Sequence, residues 1–202
     1  SQNRKNRMVN TNPRYVSPLG VAVYPYLHKP DTKFNPDGDY KTTLRIKKDD
    51  AKDIIKLIDE AIVASTNYVK KNGSKSVKTA NPPYKQDENG DYLINFKLKA
   101  KVNNKKTGNS WTQKPALFDA TGKPIAKDTI VWGGSEMKVS YELVPYHTTL
   151  VGAGVSLRLK ATQILKLVSG EGAAASSYGF AKEQGFEHYV DKMRTDGGVV
   201  NA

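Results

Sequence analysis

The sequence predicts a mainly β chain: a small barrel or sandwich of about five strands, with one amphipathic helix and long loops. Three observations predict it. Several short segments alternate apolar and polar residues, the period of a half-buried strand. A single segment carries an apolar stripe at the helical period. Clusters of Gly, Pro, Asn and Asp separate the patterned segments.

Residues 1–14 are polar and basic and read as a mobile arm. Over 16–27 the apolar residues Val21, Val23 and Leu27 alternate with Tyr24, Tyr26 and His28, while Pro18 and Pro25 interrupt the run. An edge or bent strand fits this pattern, with Tyr24 and Tyr26 on the face away from the valines. Asn35-Pro36-Asp37-Gly38 is a turn. From 40 to 47 the alternation resumes: Tyr40, Thr42, Leu44 and Ile46 face one way, and Lys41, Thr43, Arg45 and Lys47 the other.

The helix spans 49–71. Ala51, Ile54, Ile55, Ile58, Ile62, Ser65 and Val69 share one stripe, opposite Lys52, Lys56, Glu60 and Asn67. Asp49 or Asp50 supplies its N-cap, and Gly73 ends it. Residues 72–90 read as a loop. The cleanest strand is 92–102, with Tyr92, Ile94, Phe96, Leu98, Ala100 and Val102 inward and Asn95, Lys97, Lys99 and Lys101 outward. A polar turn at 103–110 and an irregular stretch at 111–127 follow. Ile130 to Gly134 lead into a strand with Met137, Val139, Tyr141 and Leu143 on one face. The last strand, 155–168, turns Val155, Leu157, Leu159 and Ala161 inward and Ser156, Arg158, Lys160 and Thr162 outward. A Gly/Ala/Ser-rich linker begins at 169, and 179–202 is weakly patterned.

The chain has 202 residues, 32 basic and 20 acidic, for a net charge of +12. Residues 1–168 carry 29 basic and 15 acidic groups, whereas 169–202 carry 3 and 5. A basic body with a slightly acidic tail suits a polyanionic partner, nucleic acid before an anionic membrane surface. No cysteine is present, which excludes disulfides, zinc fingers and thiol nucleophiles. No apolar run is long enough to span a membrane and no secretory signal is visible, so a non-secreted protein is expected.

The polar faces of three strands are basic, not merely polar: Lys41, Arg45 and Lys47; Lys97, Lys99 and Lys101; Arg158 and Lys160. Ordinary solvated strand faces mix signs, because like charges on adjacent strands repel. A one-signed outer face makes a track for phosphates; a lysine-rich surface that only aids solubility is the plainer alternative. Aromatic rings stack on any exposed base, each worth ~1–3 kcal/mol. Tyr24, Tyr26 and Trp111 are the candidates, with Trp111 beside Lys105, Lys106 and Lys114. Tyr84 is a further one, and Trp132, before Gly133-Gly134, reads as structural.

Catalytic signals are poor. No Gly-x-Ser-x-Gly elbow, phosphate-binding loop or His-Glu-x-x-His occurs. His28, His147 and His188 match no ligand spacing, so no metal or cofactor is expected. A Mg²⁺-dependent nuclease using Asp49, Asp50, Asp53 and Glu60 is one alternative, against which their placement at a helix start and along its exposed side argues. A basic structural protein that binds nucleic acid without strand preference is another.

Val131 to Tyr146 (VWGGSEMKVSYELVPY) and Gly152 to Val168 (GAGVSLRLKATQILKLV) resemble bacteriophage single-stranded DNA-binding proteins. The Asn35-Pro36 turn, the Asp49-Asp50-Ala51 helix start and Phe118-Asp119-Ala120 through Gly122-Lys123-Pro124-Ile125 are similar to the same family. The resemblance covers roughly residues 15–168. It implies an OB-fold domain over 15–168 that coats single strands in phage DNA replication and recombination, inside the host cytoplasm. It also implies that the tail, 169–202, contacts replication proteins; a homodimer or cooperative filament is a further expectation. Two features differ from the family pattern. The helix follows the second strand, where the usual OB order has it after the third. The tail holds dispersed acids (Glu183, Glu187, Asp191, Asp196) in place of an acidic run.

Overall fold

In the computed structural model, residues 12–73, 76–168 and 175–186 are described. Most of the expected arm (1–11) and the end of the tail (187–202, with Glu187, His188, Asp191 and Asp196) lie outside the described residues. The chain divides into two compact units, 1–172 and 173–202.

The first unit contains ten strands and one α-helix among its described residues. In chain order they are β1 (Arg14–Val16), β2 (Gly20–Asp31), β3 (Asp39–Ile46), α1 (Lys52–Lys71), β4 (Tyr84–Gln86), β5 (Tyr92–Lys99), β6 (Lys101–Asn103), β7 (Ser110–Thr112), β8 (Ala116–Phe118), β9 (Glu136–Thr148) and β10 (Gly152–Lys166). Five of them close a ring. β2 pairs with β3, β3 with β5, β5 with β10, β10 with β9, and β9 returns to β2. Only the β5–β10 pair is parallel within this ring. The expected five-stranded barrel is therefore present, and α1 stands between its second and third strands, as the sequence order requires.

The barrel interior is filled by Leu44, Ile46, Ile94, Phe96, Met137, Val139, Tyr141, Leu157 and Leu159. Phe96 meets Tyr141 edge-on at 5.3 Å, a contact worth ~0.5–1.5 kcal/mol beyond the area it buries. Burial pushes the Tyr141 hydroxyl up to about 12, with Tyr15 adding to the effect. α1 lays Ile54, Ile58 and Ile62 on this core. Each buried isoleucine contributes ~1.5–3 kcal/mol. The buried Ser65 hydroxyl donates to the Gly154 carbonyl at 3.0 Å, tying α1 to β10.

Several local expectations change. A 3-10 turn at Lys48–Asp50 precedes α1, whose N-cap is Ala51 with no side-chain hydrogen bond, so neither Asp49 nor Asp50 caps it. Arg14, the last residue of the expected arm, is in β1 and in register with Glu142. The strand expected over 92–102 breaks at Ala100, and Lys101 starts the separate β6–β7 hairpin. Trp111 is thus in a strand opposite Val102, not in a loop.

Of the four register shifts in β2 and β10, the first in each strand exchanges the inward and outward sets. In β2 the shift lies between Val23 and Tyr26, where Tyr24 adopts φ +48. Gly20 and Ala22 therefore face inward before the shift and Leu27 after it, while Val21 and Val23, expected in the core, face outward. In β10 the shift lies between Leu159 and Ala161, so Thr162 is buried and Ala161 is not, the reverse of the sequence expectation. A bulge adds one residue to a strand and moves everything after it to the other face.

In the second unit, Ala175–Tyr178 form a 3-10 turn closed by the Phe180 N–H on the Ala175 carbonyl. Here the Tyr178 and Phe180 rings are 6.5 Å apart.

Candidate nucleic-acid interface

Register brings one outward row together across four barrel strands: Tyr26 of β2, Lys41 of β3, Lys97 of β5 and Arg158 of β10. Next along the row come Glu142 of β9 and Arg14 of β1. The basic faces expected from sequence do converge, yet acids enter the row at two points.

Glu142 is buried and contacts three cations: Arg158 at 3.3 Å, Lys160 at 3.7 Å and Arg14 at 3.7 Å. Asp31, also buried, bonds the Lys41 ammonium at 2.6 Å. That bond, followed by the Lys33 N–H, holds the Asp31 carboxyl below the usual carboxylate range. Arg45 is 3.6 Å from Asp87. The one-signed outer face expected from sequence is corrected accordingly: Lys41, Arg45, Arg158 and Lys160 are paired. Lys47, Lys97, Lys99 and Lys101 are exposed and form no ion pair among the described residues. Lys47 lies just past β3, Lys99 ends β5 opposite Asp39, and Lys101 begins the hairpin.

A groove of about 480 Å³ runs over β3, β5 and the start of β10. Lys41 and Lys97 line it with Thr43 and Asn95, whose side chains share a 2.7 Å hydrogen bond. Tyr24 and Tyr146 are also on its wall. Gly154 sets the position of Tyr146. The two are in register, and a Cβ on Gly154 would lie 2.8 Å from the Tyr146 Oη and 2.9 Å from the Ala80 Cβ. The absence of a side chain lets the ring lie across β10.

The loop after β2 supplies a second aromatic cluster. The Lys41 ammonium is 5.4 Å from the Tyr26 ring centre and 5.6 Å from that of Phe34. Phe34 is 80% exposed. One ammonium, fixed by Asp31, therefore gathers two rings at the end of the cationic row, within cation–π range. Tyr24 is 83% exposed at its positive φ, a strained conformation for a residue with a Cβ.

Trp111 is 48% exposed on the hairpin, separate from the row. Tyr84 is taken up structurally: it meets the Tyr92 ring at 5.8 Å and bonds Asp59. Burial first, then Asp59, pushes its hydroxyl up to about 12. Trp132, read as structural, is half-exposed on a second groove. Sequence reasoning missed Glu142, Asp31, Phe34 and Tyr146. An aromatic residue beside a polar Asn-Pro turn was the available signal for Phe34.

Among the described residues, no three His, Asp or Glu side chains gather as metal ligands. Asp49 pairs with Lys52 at 4.0 Å. No described helix is long and apolar enough to cross a membrane.

The model of a family described as single-stranded DNA-binding protein of bacteriophage T7 matches residues 19–167. A single-stranded DNA-binding protein of Enterobacteria phage T3 is 33% identical over 193 residues, covering 85% of this chain and 83% of the relative. The crystal structure of gp2.5, a single-stranded DNA-binding protein encoded by bacteriophage T7, superposes with a TM-score of 0.66 at 29% identity, covering 89% of this chain and all of that one. The single-stranded DNA-binding protein of bacteriophage Enc34, solved with single-stranded DNA, gives a TM-score of 0.55 at 16% identity over 79% of this chain and 89% of that one. This last likeness carries the fold.

Proposed function

The chain belongs to the bacteriophage T7 single-stranded DNA-binding protein family, and from that premise we propose that it binds single-stranded DNA without catalysis and coats it during phage replication and recombination in the host cytoplasm. The observation that carries this reading is the groove over β3 and β5, whose lining combines the exposed Lys97 with Tyr24 and Tyr146. A cation for phosphates beside rings for bases is what sequence-tolerant binding of a single strand requires. Lys41 holds Tyr26 and Phe34 in place, and Trp111 offers a further ring from the hairpin. The family resemblance supports a role for the tail in contacts with replication proteins, and for a homodimer or filament.

The test is fluorescence anisotropy with a labelled dT oligonucleotide and a matched duplex across a salt series. Engagement of about four phosphates gives a log–log salt slope near −3, from −0.7 for each. Tight, salt-sensitive binding that prefers the single strand is expected. Equal affinity for both forms would leave only a basic surface and favour a structural protein.

A further inference from the structure

The outer face of β2 carries apolar surface that the barrel does not use. Val21 and Val23 point outward and floor a groove of about 650 Å³. Trp132 and Ile130 form one wall, and Arg45 and His28 bring the polar groups. The Trp132 loop is anchored from two sides. The Gly134 N–H donates to the Ala22 carbonyl at 2.9 Å, and the Trp132 N–H to the Val168 carbonyl at 3.1 Å. The Val168 N–H in turn donates to the Ser135 hydroxyl at 2.9 Å. The indole is therefore presented by a fixed loop while 43% exposed.

Tyr24 lines this groove and the β3–β5 groove alike. Its positive φ places the ring between the two, at the point where β2 changes face. A strand leaving the first groove across Tyr24 enters the second. There it meets an apolar floor, an anchored indole and the Arg45 guanidinium, half-exposed although paired with Asp87, a combination that takes a base and its phosphate. We propose that this groove is a second nucleobase subsite, in which Trp132 stacks on a base of the same single strand. The proposal rests on single-strand binding in the first groove and extends it along the DNA.

The chain has two tryptophans, so Trp111→Phe leaves Trp132 as the sole indole reporter. Titrating this variant with dT of about 16 nucleotides, the upper site size for one OB-fold, is expected to quench Trp132 emission along the anisotropy isotherm. Trp132→Ala is expected to lower affinity for that oligonucleotide roughly ten-fold, the loss of one stacked base, with the salt slope unchanged. Trp132→Phe, which keeps a ring, should retain most of the affinity, and the quenching readout needs no substitution at this position. Binding by anisotropy with unmoved Trp132 emission and unchanged Trp132→Ala affinity would overturn the subsite while leaving the first groove intact. Trp132 emission that responds to protein concentration and not to DNA would also overturn it, by showing a second copy of the chain on the groove. No anisotropy change with any oligonucleotide would sink single-strand binding itself.

Discussion

The Asp31 carboxylate and the Lys41 ammonium form a 2.6 Å ion pair at the base of the loop that carries Phe34. Because Asp31 is held below the usual carboxylate range in the folded chain, its contribution is present above the ordinary value near ~3.9. That contribution is lost as pH falls through the lower, folded value. Asp31→Asn is expected to reduce thermal stability at neutral pH, with the difference from the parent closing below about pH 4. Melting curves between neutral and acid pH check this; a constant difference at every pH would detach Asp31 ionisation from stability.

Lys97 and Lys99 carry charge that no described acid neutralises. The Lys97→Ala, Lys99→Ala double variant should bind all single-stranded sequences more weakly, and its salt slope should be shallower by ~1.4, two phosphate contacts at −0.7 each. A slope equal to the parent's would remove both lysines from the phosphate track.

Glu142 holds three cations that the sequence assigned to DNA or to the arm. Glu142→Gln releases Arg14, Arg158 and Lys160 while removing a buried acid. All three cations reach water, so the stability loss is expected near ~1–2 kcal/mol, below the ~3–5 kcal/mol of breaking a fully buried pair. Single-strand affinity should rise and its salt slope steepen. Calorimetry and the anisotropy series measure the two effects separately, and an unchanged slope would place these cations away from DNA.

Gly154→Ala tests the seat of Tyr146. The added methyl group meets the Tyr146 ring and Ala80 below 3.0 Å, so the ring must leave the groove wall or β10 must shift. Overpacking of this kind costs ~1–3 kcal/mol. Weaker single-strand binding is expected alongside, and Tyr146→Ala should reproduce the binding loss without the overpacking. Parent-like affinity in both would leave Tyr146 as a packing residue.

Tyr24 combines a strained backbone with a ring open to solvent. Tyr24→Gly removes the strain, usually ~1–3 kcal/mol at such sites, so the melting temperature should hold or rise. Affinity should fall, because the ring between the two grooves is lost. A lower melting temperature with intact binding would make Tyr24 a structural residue.

The barrel strands were legible where a strand keeps one period from end to end. β3 and β5 placed Leu44, Ile46, Ile94, Phe96 and Leu98 in the core as their alternation requires. α1 was legible for the same reason, through Ile54, Ile58 and Ile62. The three-residue strands β1, β4, β6, β7 and β8 are too short to show a period; β1, β4 and β8 form by pairing with longer neighbours, and β6 and β7 by pairing with each other. Phase was lost at the bulges of β2 and β10, where one extra residue exchanges the inward and outward sets.

Charge composition and the lysine-bearing alternation by themselves determined that a basic face would exist, because side-chain direction within a regular strand is a local property. Which cations remain open was decided only by tertiary structure. Asp31 reaches Lys41 from the end of a neighbouring strand, and Glu142 reaches Arg158 and Lys160 across the β9–β10 pair. Ion pairing depends on distances of a few ångströms between residues far apart in the chain, and barrel closure sets those distances. The same closure carried Tyr24 between two grooves and brought Trp132 beside β2, a placement that no local pattern encodes.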